Sequence, residues 1–376
     1  MTADPRIHWV ESGITQEAIW RSENGSKPPS RVMVIDDLCK ADTAYRLACE
    51  GTAMLWRGDF QNARQLLQAM SRRFAKKPSK STLSTSRVQA FHLYRQSQLQ
   101  RAKTLGMLLV PLDENYAVTL RRAPDVKAAC LEAYGPSSAP SILSLRALLG
   151  VIGAHEWRRK GIEIPVLGGR IHPHYGVFSP VRGEYLHLVA EAPLGPVKRA
   201  FDIGTGTGVI AAILARRGVA EVVATDHHPR ALICARENIA QLGLEDRVSV
   251  VDADLFPECK ADLIVCNPPW LPASANSALD HAIYDPDSRM LRGYLQGLST
   301  HLEPGGEGWL ILSDLAEHLA LRSANDLNAM IHQAGLTKID QHTIRPRHPK
   351  TLDQADPLHE ARSRESTMLI RLRVAT

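Results

Sequence analysis

From residue 200 onward the chain alternates between two patterns of apolar residues. Short unbroken apolar runs, such as Asp262-Leu263-Ile264-Val265-Cys266, read as strands buried on both faces. Between them, apolar side chains recur every three to four positions, the signature of helices with one covered side. Strands are expected at 200–204, 221–226, 248–252, 263–267, 308–313, 338–344 and 367–374. Helices are expected at 209–217, 230–242, 288–302 and 314–334. Such alternation predicts a doubly wound, mostly parallel α/β sheet.

The pattern before residue 160 is less regular. A short strand is expected at 31–35 and a helix at 41–51. Phe60, Ala63, Leu66, Leu67 and Met70 share one face of a helix over 58–70. A second helix is expected at 87–103, with Val88, Phe91, Leu99 and Ala102 inward and Arg87, Arg95 and Arg101 outward. A Ser/Thr/Lys loop at 78–86 separates the two. A hairpin is expected from 107–111 and 117–120 around Asp113-Glu114-Asn115, then short helices at 124–134 and 140–150. A connector at 161–170 holds a strand at 162–166, and a helix at 184–191 precedes the regular region. Two domains follow: a mixed α/β unit at 1–160 and a second at 161–376, in a chain of 376 residues long enough for two cores. The first unit carries no catalytic constellation, and Trp56 reads as core packing.

Six cysteines without a Cys-x-x-Cys pair exclude a disulfide or zinc framework and suit a reduced, cytoplasmic setting. His172/His174 and His227/His228 lack a matching carboxylate or cysteine set, so no metal site is expected. No apolar run approaches the length of a membrane span, and the N-terminus lacks a signal-peptide pattern. Net charge is only +5, but 57–103 holds 11 basic residues against one acid, Asp59. That asymmetry suits an anionic partner such as RNA, or a solvated face balancing acidic segments elsewhere.

Chemistry concentrates between Phe201 and Trp270. Asp202-Ile203-Gly204-Thr205-Gly206-Thr207-Gly208 reads as a strand turning through glycines into a helix, where a ligand can approach the main chain. The 263–267 strand stops at Asn267-Pro268-Pro269-Trp270, because consecutive prolines cannot continue a central strand. In open α/β sheets ligands bind at that carboxyl edge, so both ends of the stretch face one crevice. Gly206-Thr207-Gly208-Val209-Ile210-Ala211 also fits Gly-x-Gly-x-x-Ala, with Asp226 where a ribose-binding acid is expected. Turn and acid alone therefore suit NAD as well as S-adenosylmethionine (SAM). By its resemblance to the motif of SAM-dependent N-methyltransferases, Asn-Pro-Pro-Trp favours SAM.

Together, Asp-x-Gly-x-Gly-x-Gly and Asn-Pro-Pro-Trp resemble the class I SAM-dependent methyltransferases, more narrowly the group that methylates glutamine amides and the exocyclic amines of adenine or guanine. The likeness runs from about Tyr175 to the C-terminus and implies a Rossmann-like sheet of seven strands, the last antiparallel. It also implies roles. Asp202 would lie near the cationic amino end of SAM, with Gly204, Thr205, Gly206 and Gly208 against its methionine portion. Asp226 would accept the ribose hydroxyls, His227 would pack beside the adenine, and Asp254 with Leu255 would receive the adenine amine, Asp252 competing. The Asn267 side-chain oxygen and the Pro268 carbonyl would hold the acceptor's N–H groups, Pro269 would stiffen the loop, and Trp270 would stack on the flat acceptor.

Gly176-Val177-Phe178-Ser179 resembles the entry segment of rRNA guanine methyltransferases, although Pro180-Val181-Arg182-Gly183-Glu184 replaces their Arg-Asp-Gly. Phe178, Arg182, Arg345 and Arg347 are candidate substrate contacts, the last two in a basic loop at 345–350 suited to phosphates. The rRNA guanine enzymes often carry a degenerate N-terminal domain, and release-factor glutamine enzymes a shorter helical one; length favours the first comparison. RNA of the translation machinery leads as acceptor, followed by a protein glutamine and a small metabolite. A non-catalytic RNA- or protein-binding module is the contrasting reading.

Overall fold

The computed structural model describes residues 4–76, 86–181, 183–275, 279–346 and 353–375. The expected loop at 78–86 lies outside them except for Ser86. Two compact units divide between residues 156 and 157.

In the first unit, β1 (Arg6–Glu11) and β2 (Ile14–Trp20) precede β3 (Val32–Ile35), α1 (Ala41–Cys49) and β4 (Ala53–Trp56). Then come α2 (Phe60–Lys76), α3 (Arg87–Leu105), β5 (Leu108–Leu112), α4 (Lys127–Tyr134), β6 (Ser141–Ser144) and α5 (Leu145–Lys160). The strands form one sheet in the order β1-β2-β6-β5-β4-β3, in which β3, β4 and β5 run parallel. The inward face of α2 is as expected: Phe60, Ala63, Leu66, Leu67 and Met70 are all buried. Trp56 is buried, and its indole N–H donates to the Asp59 carbonyl at 3.0 Å.

Three expectations for this unit need correction. Leu99 is not inward but 45% exposed; residues 96–100 are exposed on every side, and α3 buries only Phe91, Thr104 and Leu105. The 117–120 arm is no strand. It makes a single bridge, Leu112 to Val118, because β5 already has ladder partners in β4 and β6. The helix expected at 140–150 starts later, since Ser141–Ser144 pairs with β2 and β5 before α5 begins.

The second unit opens with a small ribbon, β7 (Ile162–Ile164) and β8 (Gly169–Ile171), and then α6 (Glu184–Glu191). The regular alternation follows: β9 (Arg199–Ile203), α7 (Val209–Arg216), β10 (Glu221–Asp226), α8 (Pro229–Gln241), β11 (Val248–Asp252) and β12 (Ala261–Cys266). It continues with α9 (Arg289–His301), β13 (Leu302–Ser313), α10 (Leu315–His318), α11 (Ala324–Gln333), β14 (Leu336–Ile344), α12 (His359–Arg364) and β15 (Thr367–Val374). The seven strands order as β11-β10-β9-β12-β13-β15-β14, and β15 is antiparallel to both neighbours. Strand order reverses between β9 and β12, the switch point where such sheets open a crevice.

Alternation along each strand sends side chains to opposite faces. Ala200, Leu263, Val265 and Ile311 pack with α6, α7 and the C-terminal half of α8 on one face. Phe201, Ile203, Ile264 and Leu310 pack with α9 and α11 on the other. The single helix expected at 314–334 is two: Ala320 adopts φ +57°, and the chain restarts at Ser323. Ser323 caps α11 by accepting the Asp326 N–H, while Asp326 accepts the Ser323 N–H. Ser323→Ala removes half of this reciprocal box and is expected to lower stability by about 1 kcal/mol, read as a lower urea midpoint at unchanged slope. No helix among the described residues is long and apolar enough to cross a membrane.

Candidate functional site

β9 ends at Ile203, and the chain enters α7 through Gly204 and Gly206, with φ of +69° and +56°. Side-chain-bearing residues rarely hold such angles. A Cβ on Gly204 would stand 2.5 Å from Met290 Cε, whereas one on Gly206 would meet nothing within 4 Å. Space is therefore open above Gly206, and Met290 from α9 walls the Gly204 side.

Asp202 lies at this turn with 1% exposure. Its Oδ2 accepts the Thr205 hydroxyl at 2.6 Å and the Ala211 N–H at 3.0 Å. Burial pushes its carboxyl up to about 6, against the pull of those two donors. Asp226, closing β10, accepts the Gly206 N–H at 3.1 Å on Oδ2 and the His228 N–H at 2.9 Å on Oδ1. Each oxygen keeps lone-pair capacity for a vicinal diol. The Asp226 carbonyl also accepts the Ala253 N–H at 3.1 Å, which draws the loop after β11 to the same place. There Leu255 adopts φ +77°, and its carbonyl accepts the Thr225 hydroxyl at 2.6 Å. Asp254 is exposed and paired with Arg289 at 2.9 Å; His227 is exposed.

Asn267 stands half-buried where β12 ends, followed by the buried Pro268. The Trp270 indole N–H donates to Asn267 Oδ1 at 2.9 Å, so Trp270 holds the asparagine as well as edging the crevice. Tyr185 of α6 is buried beside Asn267 and within range of the Asp202 charge. Burial raises its phenol far above the usual range, so Tyr185 stays a neutral hydrogen-bonding group. Asp202, Tyr185, Asn267 and Trp270 thus connect the carboxyl ends of β9 and β12, the two ends of the chemistry-bearing stretch. Cys266 is fully buried, with its thiol pushed well up by desolvation, and is no nucleophile.

An open glycine turn, a carboxylate with spare acceptor capacity at the next strand end, and polar groups at the switch point fit SAM. Asp226 would hold its ribose, the loop at Asp254 and Leu255 its adenine, and Gly204 with Asp202 its amino-acid end. Phe178 is 37% exposed, and Arg345 is exposed after β14. Because Ile344 and Ser313 both pair with Thr367, β14 ends and β15 begins on the same edge as Asn267. Arg182 and Arg347 lie outside the described residues. His174 bonds Glu237 and His172 bonds the Arg158 carbonyl; no group of three or more metal-ligating side chains occurs among the described residues.

Sequence reasoning missed Tyr185, Asp285 and Met290. An aromatic residue near the start of α6 was the only signal for Tyr185. Asp285 accepts the Met290 and Leu291 N–H groups at 3.0 and 3.1 Å and so anchors the start of α9, a role with no local signature.

The family profile described as methyltransferase small domain matches residues 170–333. The release factor glutamine methyltransferase of Cereibacter sphaeroides is 33% identical over 173 residues, covering 42% of this chain and 59% of its own. A putative protein N5-glutamine methyltransferase of Methanocaldococcus jannaschii is 32% identical over 162 residues, 41% of this chain and 80% of its own. The tRNA1(Val) (adenine(37)-N6)-methyltransferase of Aeromonas hydrophila is 32% identical over 166 residues, 40% and 67% respectively. The chain thus spans less than two thirds of the length of the Cereibacter protein. With the glycine turn and Asn-Pro-Pro-Trp on one sheet edge and relatives of this kind, the chain belongs to the methyltransferase small domain family of class I SAM-dependent methyltransferases.

Proposed function

We propose that this protein is a SAM-dependent N-methyltransferase acting on a planar nitrogen of a translation component, with an RNA base as the leading acceptor. The observation that carries the reading is Asn267, held by Trp270 at the switch point beside the glycine turn. Bound SAM supplies a methyl group already activated on a sulfonium. Delocalisation makes an amide or aromatic amine nitrogen a poor nucleophile, so the protein's task is orientation. The second lone pair of Asn267 Oδ1 and the Pro268 carbonyl accept the two N–H groups and aim the nitrogen. The Trp270 ring lies against the flat group, and the rigid Pro268-Pro269 segment keeps the acceptors in place. A displaced proton passes to water without a strong base.

Support for RNA comes from the first unit. Among its basic residues Arg57 and Arg73 pair with Glu11 and Asp42, while Arg64, Arg72 and Lys103 are exposed. We assign that unit to substrate recruitment, in the cytoplasm, where all six free cysteines stay reduced. A protein glutamine is the second reading, favoured by the names of two of the relatives.

The test is tritium transfer from labelled SAM into lysate of a strain lacking the gene, with and without RNase. Label lost to RNase is expected. Label that survives RNase but is lost to protease moves the acceptor to glutamine. An absence of SAM binding by calorimetry overturns the enzyme reading and revives a binding module.

A further inference from the structure

Met290 stands in the first turn of α9, and its methyl carbon lies 2.5 Å from the point a Cβ on Gly204 would occupy. It is half-buried, so the apolar core does not seal it in. With Leu255 and Trp270 it packs against one buried cluster that holds Ile203, Cys266 and Leu291. A single apolar cluster thus underlies the loop at Asp254, the glycine turn and the end of Asn-Pro-Pro-Trp.

The backbone leading to Met290 is strained. Asp287 and Ser288 are consecutive non-glycine residues with φ of +56° and +53°. Such angles are costly for residues with a side chain and persist only where their surroundings impose them. Asp285 imposes them here. Its buried carboxylate accepts the Met290 and Leu291 N–H groups at 3.0 and 3.1 Å, and its carbonyl accepts the Ser288 N–H at 3.0 Å. Its own N–H donates to the carbonyl of Leu271, the residue after Trp270, at 2.8 Å. An ordinary cap residue would satisfy a helix start without this strain. What the strained route adds is place: it sets Met290 over Gly204 and ties that position to the chain leaving Trp270.

The body of α9 is held separately. A Cβ on Gly293 would stand 2.6 Å from Leu255 Cδ1, and Gly297 leaves no room for a Cβ against the Phe256 ring. Loosening the first turn therefore shifts Met290 and leaves the loop at Leu255 in place. We propose that Met290 closes the methionine end of the SAM pocket and that Asp285 is the positioning residue that holds it there, in register with the acceptor side at Trp270. The flexible, apolar Met290 side chain suits the aliphatic carbons between the sulfur and the amino-acid group of the cofactor. This rests on the placement of SAM at the glycine turn.

The experiment titrates the full chain by calorimetry with S-adenosylhomocysteine, which carries the amino-acid portion, and with adenosine, which lacks it. Met290→Ala is expected to weaken S-adenosylhomocysteine about tenfold and to leave adenosine within about twofold. Asp285→Asn, whose amide accepts only one of the two N–H groups, is expected to do the same. The double variant should lose no more than the weaker single one, because Asp285 acts through Met290. Ser323→Ala, which removes a helix cap on α11, should leave both affinities unchanged and so controls for lost stability. Equal losses for the two ligands make Asp285 a structural cap and overturn the proposal. Unchanged S-adenosylhomocysteine affinity in either single variant, additive losses in the double variant, or the same selective loss in Ser323→Ala also overturn it. Should Asp285→Asn not fold, Met290→Ala decides by the same contrast. Each contrary result leaves the SAM reading standing if wild type binds S-adenosylhomocysteine, whereas failure of wild type to bind it removes that reading itself.

Discussion

Asn267→Ala is expected to lower the methyl-transfer rate by about 100- to 1000-fold while SAM affinity stays within about twofold. Asn267 acts on the acceptor, and a group that orients the acceptor in the transition state appears in kcat rather than in cofactor binding. The substitution removes the Oδ1 acceptor and leaves the Trp270 indole N–H without its partner. Asn267→Asp keeps an oxygen but sets a carboxylate beside Tyr185, close to Asp202, where it raises the cost of charge at both positions. It should therefore lose activity and stability together. Single-turnover transfer and calorimetric SAM titration separate the two effects. A loss of SAM affinity as large as the loss of rate would assign Asn267 to the cofactor instead.

Much of the second unit could be read from sequence because its signals are local. The apolar runs of β9, β10, β12 and β13 need no tertiary context, and two prolines after Asn267 fix the strand end by covalent geometry. The glycine turn is equally local. Contacts across long separations were not legible. Tyr185 reaches Asn267 over 82 positions, and nothing at position 185 announces it. Arg322 looked like a helix interior, and only the break at Ala320 sets it, buried, in the connection between α10 and α11. In the first unit β1 and β2 escaped notice because most of their residues are exposed, so the apolar alternation that marks a strand is weak. Leu99 was misread for the opposite reason: helical periodicity was present, but no element among the described residues covers that stretch of α3.

Asp202→Asn separates the structural and functional parts of the buried acid. Burial holds the Asp202 carboxyl at about 6, above its ordinary 3.8. The folded state therefore binds this proton more tightly than the unfolded chain. Stability from that preference is fully present below about pH 4 and is lost as pH rises through about 6, an effect of about 3 kcal/mol by pH 8. Asparagine keeps an oxygen for the Thr205 hydroxyl and the Ala211 N–H but carries no charge to desolvate. The variant is expected to show a flat stability profile across this window and to exceed wild type at pH 8 by up to about 3 kcal/mol, read from urea midpoints at several pH values. A natural chain that carries so costly a carboxylate has a use for the charge, and the cationic amino end of SAM supplies one. Wild-type SAM affinity should accordingly rise as pH passes through about 6, and Asp202→Asn should bind more weakly without that rise. If the variant gains stability and keeps its affinity, the negative charge at Asp202 serves no bound cation, and the amino end of SAM is held by the backbone of the glycine turn alone.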